Sequence, residues 1–173
     1  MMKMCQVLLN QIFNPFIRTI ISPSGLILPG IIFFFTGCST SSVYDQNKSF
    51  RDDVWKSDQI VRFDVELEDT MNIHKFYLNL RHTTSYRYAN IFLFINTTFP
   101  DGTEARDTVE CILADPSGKW MGKGISNIRD NQVLLRRGLR FPQKGTYIFE
   151  FEQAMREPEL KEVMDIGLRI VRE

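Results

Sequence analysis

The reactive group that stands out in the sequence is the thiol of Cys38. It follows Thr36 and Gly37, two small residues, and an apolar run over 26–35 that a Pro-Gly pair interrupts. A thiol in this setting can act as a nucleophile at a membrane surface, and its small neighbours let processing enzymes reach the backbone. The run is shorter than the ~20 apolar residues of a membrane-spanning helix. It therefore predicts a cleavable segment.

The charge distribution divides the chain at the same place. Residues 1–37 contain Lys3 and Arg18 and no acidic residue. The whole chain has 21 Lys+Arg and 21 Asp+Glu, so residues 38–173 keep 19 basic and 21 acidic residues, a net charge near −2. A cationic start, an apolar run and small residues before a processing site are typical of a secretory signal. We predict a signal peptide over 1–37 and, after it, a domain without the strong positive charge of a nucleic-acid-binding protein.

The segment 35–38, Phe-Thr-Gly-Cys, resembles the bacterial lipobox, with Phe35 where an aliphatic residue is more usual. The resemblance implies that Cys38 carries a covalent diacylglycerol and, after cleavage, an N-acyl chain; no other cofactor is expected. Several buried acyl chains anchor a protein stably to a membrane. Ser39, instead of Asp, favours the outer membrane with the domain facing the periplasm. The polar residues 38–55 predict a tether.

The remaining chemistry-bearing residues form no recognisable catalytic or metal-binding pattern. His74 and His82 flank one predicted strand and are expected to be solvated, too far apart to share a metal. The segment 118–124 has the wrong spacing for a phosphate-binding loop, and no Gly-x-Ser-x-Gly elbow occurs. Cys111 alternates with apolar neighbours and is expected to be buried. We predict no catalytic residues, no metal and no enzymatic activity.

Period-2 alternation after the tether predicts the elements that position these residues. The segments 62–68, 76–81, 147–152 and 164–171 alternate between apolar and polar residues, as half-buried antiparallel strands do. The segment 91–95 is apolar on both faces, which places it centrally in a sheet. Weaker runs at 106–114 and 131–137 supply further strands, and a short helical turn is expected within 153–163. We predict one all-β domain over 56–173, a jelly-roll-like antiparallel sandwich of seven to eight strands.

Three features could make contacts with a partner or a glycan. Tyr86, Arg87 and Tyr88 form the densest aromatic-polar cluster, and Tyr and Arg are enriched at interface hot spots. Structural capping of the sheet end explains this cluster equally well. Trp120 is expected to pack on the core edge or to form an exposed aromatic platform. The pair Arg136 and Arg137 forms a local basic patch that could meet a lipid phosphate, a glycan acid or a protein, or simply be a charged face.

Several short segments, taken in order, resemble the gliding-motility lipoprotein family GldH of the Bacteroidota. Together with the lipobox-like segment they span nearly the whole chain after residue 38. These segments are 77–81 (YLNLR), 86–90 (YRYAN), 113–122 (LADPSGKWMG), 141–147 (FPQKGTY), 153–156 (QAMR) and 165–168 (DIGL).

The resemblance implies a lipid-anchored cell-envelope protein that acts with other envelope or gliding-machinery proteins. It carries over no catalytic residue. We expect a non-catalytic β-sandwich in an envelope complex, with contacts through the Tyr86–Tyr88 cluster, Trp120 or the arginine pair. The alternative hypothesis is a carbohydrate-binding lipoprotein that presents Trp120 to sugars.

Overall fold

The computed structural model describes residues 42–173, which form ten β-strands and one short 3-10 turn at Arg51–Asp53. The strands are β1 (Ser42–Ser49), β2 (Val54–Lys56), β3 (Val61–Leu67), β4 (His74–Thr83), β5 (Asn90–Thr98), β6 (Glu104–Ile112), β7 (Ile128–Leu139), β8 (Gly145–Gln153), β9 (Glu159–Lys161) and β10 (Val163–Arg172).

The eight long strands make two four-stranded sheets that form a β-sandwich. One sheet has the order β1-β10-β4-β7 and the other the order β3-β8-β5-β6, and all neighbours are antiparallel. These two orders are those of a jelly roll, in which consecutive strands cross between the sheets to form Greek keys. The predicted fold is confirmed. The short strands β2 and β9 pair with each other outside the two sheets.

The core follows from the alternation read in the sequence. In β3, Val61, Phe63, Val65 and Leu67 are buried while the residues between them are exposed. The strand thereby turns one face to the apolar interior and the other to solvent. The segment 91–95 lies in β5, between β8 and β6, so its central position is also confirmed.

The structure corrects the tether predicted over 38–55. From residue 42 onward this segment belongs to the domain, because β1 pairs with β10 along its whole length. Phe50 and Trp55 then enter the core, where their rings stack at a centroid distance of 4.9 Å. The polar sequence of β1 concealed it: an edge strand gains its stability from backbone pairing on one side, and its side chains remain largely exposed.

The helical turn predicted within 153–163 is also wrong. Residues 154–158 form a bend, and β9 follows at Glu159–Lys161. Pro158 cannot donate a backbone hydrogen bond, which disfavours a helix interior. Leu160 in β9 is buried opposite Trp55 of β2, so the pairing of two short strands replaces the helix.

The register defines two ends of the sandwich, which we call the base and the tip. At the base, β1 begins and β10 ends, Ser42 pairs with Val171, and the turns 68–73, 99–103 and 140–144 connect strands. At the tip, Ser49 pairs with Asp165, and the connections 50–60, 84–89, 113–127 and 154–162 cap the sheets. The ten residues of β10 separate the two ends by roughly 30 Å.

Candidate functional site

The contact residues predicted from the sequence do not form one site. Tyr86, Arg87, Tyr88 and Trp120 lie at the tip, in the connections that follow β4 and β6. Arg136 and Arg137 lie on β7 near the base, three and two residues before the strand ends at Leu139. The two groups lie at opposite ends of the sandwich, so they cannot belong to a single contact surface.

The two tyrosines of the tip cluster serve mainly to hold the structure. Tyr86 is buried, and its hydroxyl donates to the carbonyl of Asn90 at 3.3 Å. Burial raises the pKa of Tyr86 well above its usual range. The ring of Tyr88 packs edge-on against Tyr86, and its hydroxyl donates to Glu157 at 2.8 Å. Of the three predicted contact residues, only Arg87 is exposed.

Trp120 packs on the core edge and does not form a free platform. It is half-buried, and its ring lies edge-on to His82 at a centroid distance of 4.6 Å. His82 is fully buried and also contacts the Tyr86 ring at 5.5 Å. Its Nδ1 donates to the carbonyl of Thr83 at 2.7 Å. Desolvation lowers the pKa of His82, and the nearby Arg129 lowers it further.

The expectation of two solvated histidines is therefore wrong. His74 is also fully buried, with its ring 5.3 Å from that of Phe141. The reason is that alternate residues of a strand share a face. Positions 74 and 82 lie on the same, inward face of β4 as Phe76, Leu78 and Leu80. The same even spacing was visible in the sequence and could have predicted their burial.

The sequence did not predict the exposed apolar residues at the tip. We call residues 113–127, together with the adjoining Ile112, the tip loop. Ile112 is 49% exposed, Met121 63% and Ile125 89%. Isolated apolar residues among Gly, Lys and Ser give no periodic signal, so only the structure shows that they are exposed on one connection.

The tip loop is held in place by hydrogen bonds and by close backbone contacts. The backbone N–H of Met121 donates to the carbonyl of Leu113 at 2.8 Å. The carboxylate of Asp115 accepts hydrogen bonds from Ser117 and from the backbone of Lys119, which lower its pKa. At Gly124 a Cβ would come within 2.0 Å of the carbonyl oxygen of Ile128, so only glycine fits this turn. The loop therefore presents Met121 and Ile125 from a defined backbone.

A concave surface on the outer face of the β1-β10-β4-β7 sheet extends to the tip loop, because Ile112 and Met121 line it together with polar side chains of the sheet. Its cavity measures about 850 Å³. Arg81 pairs there with Asp130 and with Asp165, at 2.5 Å and 3.2 Å. The amide of Asn79 bonds to Asn47 and Gln132 on either side. These groups satisfy one another, which makes the face a cross-strand network that stabilises the sheet.

Reactive groups are scarce in the described part of the chain. Cys111 is buried as predicted, and burial raises the pKa of its thiol to about 12, which leaves it a poor nucleophile.

Within residues 42–173 no group of three or more His, Cys, Asp or Glu side chains could hold a metal ion. No helix in that range is long and apolar enough to cross a membrane. Cys38, the predicted lipidation site, lies outside the described residues.

Comparison with known proteins assigns this domain. The family described as GldH lipoprotein matches residues 42–170, from the first residue of β1 almost to the end of β10. The chain belongs to the GldH lipoprotein family. The matched range begins within the segment predicted as a tether, at the first residue of β1.

Two curated relatives extend the match over most of their length. A gliding motility lipoprotein GldH from Flavobacterium johnsoniae is 31% identical over 157 residues, covering 87% of this chain and 96% of the relative. A gliding motility lipoprotein GldH homolog from Christiangramia forsetii is 30% identical over 146 residues, covering 80% and 89%. The GldH resemblance inferred from the sequence is thus confirmed.

Proposed function

We propose that this GldH-family protein is anchored to the outer membrane through lipid on Cys38, faces the periplasm, and contributes a non-catalytic β-sandwich to an envelope complex that supports gliding motility. The family and its two gliding-motility relatives support the setting. The observation that carries the mechanism is the position of the tip loop. It exposes Met121 and Ile125 at the end of the sandwich opposite the start of β1.

The covalent path from the proposed anchor to the domain is short. Cys38 precedes Ser42, the first residue of β1, by four residues, which can span at most roughly 14 Å. Lipid on Cys38 would therefore keep the base close to the membrane surface. The tip, roughly 30 Å further along the strands, would project away from the membrane.

The tip loop has the composition of a protein contact. Three large apolar side chains, those of Ile112, Met121 and Ile125, are exposed on this one connection, and exposed apolar patches often mark protein contacts. Arg87, exposed at the same end, adds a residue type that is frequent in interface hot spots. Both tyrosine hydroxyls and the Nδ1 of His82 bond to neighbouring residues, and the Nε2 of His82 is buried without a hydrogen-bond partner within residues 42–173. This arrangement suits recognition of a partner protein and provides no group poised for catalysis.

The carbohydrate-binding alternative depended on an exposed Trp120. The ring of Trp120 is half-buried and packs against His82 and the core, so it is not the exposed platform that this alternative required. No observation in the described residues favours this alternative.

The anchor is tested by Cys38→Ala. Cells fed a labelled fatty acid should incorporate label into the wild-type protein and lose it in the variant, and the variant should leave the membrane fraction or remain unprocessed. Persistent labelling of the variant would show that Cys38 is not the lipidation site.

The contact surface is tested by Met121→Glu and Ile125→Glu. A charge introduced into a buried apolar contact should reduce recovery of crosslinked partner proteins from intact cells at least about tenfold. Ile60→Glu is the matched control, because Ile60 is also exposed, at 52%, but lies on the β2–β3 connection. Equal recovery from all variants would rule out the tip loop as the contact surface.

A further inference from the structure

The two long edges of the sandwich are closed to different degrees. At the β1/β3 edge, Tyr44 packs edge-on against Phe63 at 6.3 Å, and Lys48 lies 5.4 Å from the centre of the same ring. At the β6/β7 edge, the tip loop covers the sandwich only at one end. Towards the base the gap between the sheets remains open as a cavity of about 450 Å³.

The interior of this cavity is apolar and largely aromatic. Its walls include Phe76, Ile95 and Phe149 from the core, with Val109 and Leu135 from the two edge strands. The one hydroxyl among the aromatic lining residues, that of Tyr147, is engaged with the backbone of Gln143, at 3.0 and 3.3 Å. Thr97 and Thr108, which also line the cavity, add two hydroxyls to walls that are otherwise mostly apolar. Size and lining match those of pockets that take small apolar ligands.

The mouth of the cavity is charged. Arg136 and Arg140 line it on the β7 side and Asp107 on the β6 side. Among residues 42–173 none of the three takes part in an ion pair or a side-chain hydrogen bond within the usual distances. Two unpaired guanidinium groups against one carboxylate leave the mouth with a net positive charge. Guanidinium groups bind carboxylates strongly, through paired hydrogen bonds.

We propose that this cavity binds a single-chain anionic amphiphile of the fatty-acid class, with the acyl chain between the sheets and the carboxylate at Arg136 and Arg140. Apolar walls beneath a cationic mouth complement a molecule with an apolar chain and one anionic head. Charged residues at inward-facing edge positions, Asp107 and Arg136, discourage the addition of a peptide strand in the same gap. The inference rests on the cavity and not on the lipid at Cys38, so either can fail alone.

The test uses the full-length protein in isolated membranes and palmitate carrying a diazirine near the end of its chain. After illumination, adducts should map to residues 95–109 or 133–149. Unlabelled palmitate should compete at least about fivefold better than hexadecanol, which has the same chain without the charge. Adducts confined to other segments, or equal competition by the two molecules, would overturn the proposal.

Variants locate the chain and the head separately. Val109→Trp and Leu135→Trp should fill the cavity and reduce labelling about tenfold, whereas Glu110→Trp, on the outer face of the same β6, should not. Arg136→Gln with Arg140→Gln should reduce labelling about fivefold or more. Arg137→Gln is the matched control, since Arg137 is exposed on the same strand but does not line the cavity.

If a tryptophan variant is not recovered in the membrane fraction, the arginine pair still decides the question. Labelling that is the same in the double arginine variant and in Arg137→Gln would overturn the carboxylate site.

Discussion

The base and the tip of this sandwich are built by different means. The tip packs large aromatic side chains beneath long connections: Trp55 stacks on Phe50, and Trp120 contacts His82. The base also packs aromatic rings, such as Phe141 against Tyr147 at 5.0 Å, but beneath short turns. Both ends bury aromatic side chains, so the contrast lies in the connections: the tip has connections long enough to present an exposed loop to a partner, whereas the base has short turns.

The largest expected effect on stability is that of Trp55→Ala at the tip. Trp55 is fully buried, and its indole N–H donates to the carbonyl of Gln59 at 2.9 Å. Loss of a buried Trp side chain should lower the free energy of unfolding by about 3–5 kcal/mol. Urea unfolding of residues 38–173 with Cys38→Ala provides the measurement.

Trp120→Ala is the control for this change. Because Trp120 is only half-buried, its loss should lower the free energy of unfolding by less than the loss of Trp55 does. A change at Trp55 of less than about 0.5 kcal/mol, as expected of a surface residue, would mean that 50–55 is a tether after all.

The second test is the pH dependence contributed by the tip. Burial lowers the pKa of His82, so the unfolded chain binds its proton more tightly than the folded domain does. Stability should be fully present above the ordinary histidine pKa near 6.5 and should fall as the pH drops below it. His82→Gln should flatten the dependence of the urea midpoint between pH 7.5 and 5.5. An unchanged slope would show that His82 is not the group responsible.

The smallest expected effect is at the base, in the turn 99–103. Asp101 accepts hydrogen bonds from Thr103 and Gln143, which lower its pKa to about 2. Its contribution to stability is present above the ordinary carboxyl pKa near 3.9 and is lost only as the pH falls towards 2.

Asp101→Asn should therefore leave the pH 5.5–7.5 slope unchanged and speed hydrogen exchange at the Thr103 amide, which bonds to Asp101 at 2.9 Å. A slope altered as much as in His82→Gln would contradict the separation of the two ends.

The sequence predicted the strands whose side chains alternate, and with them the jelly roll. It did not predict β1, because Asp45, Asn47 and the other polar side chains there point mostly to solvent, and the pairing with β10 is made by backbone atoms. Short β9 was missed for a related reason: its one buried residue, Leu160, gains its environment from Trp55, a distant residue in the sequence.

The candidate surfaces were predicted less well than the fold. Residue types drew attention to Tyr86 and Trp120, which proved to be packed against the core. Exposure of Ile125 depends on the path of the tip loop, and the open cavity beside Arg136 depends on where that loop covers the sheet edge. Neither is encoded in local spacing, because both arise from how distant strands are brought together.

The central claim, that the base faces the membrane and the tip faces a partner, is tested most directly by photocrosslinking in living cells. A photoreactive amino acid is placed at Ile125 in the tip loop or at Met71 in the base turn 68–73, positions that are 89% and 81% exposed. The account predicts protein adducts from position 125 and lipid adducts from position 71. Lipid adducts from position 125 with protein adducts from position 71 would contradict it.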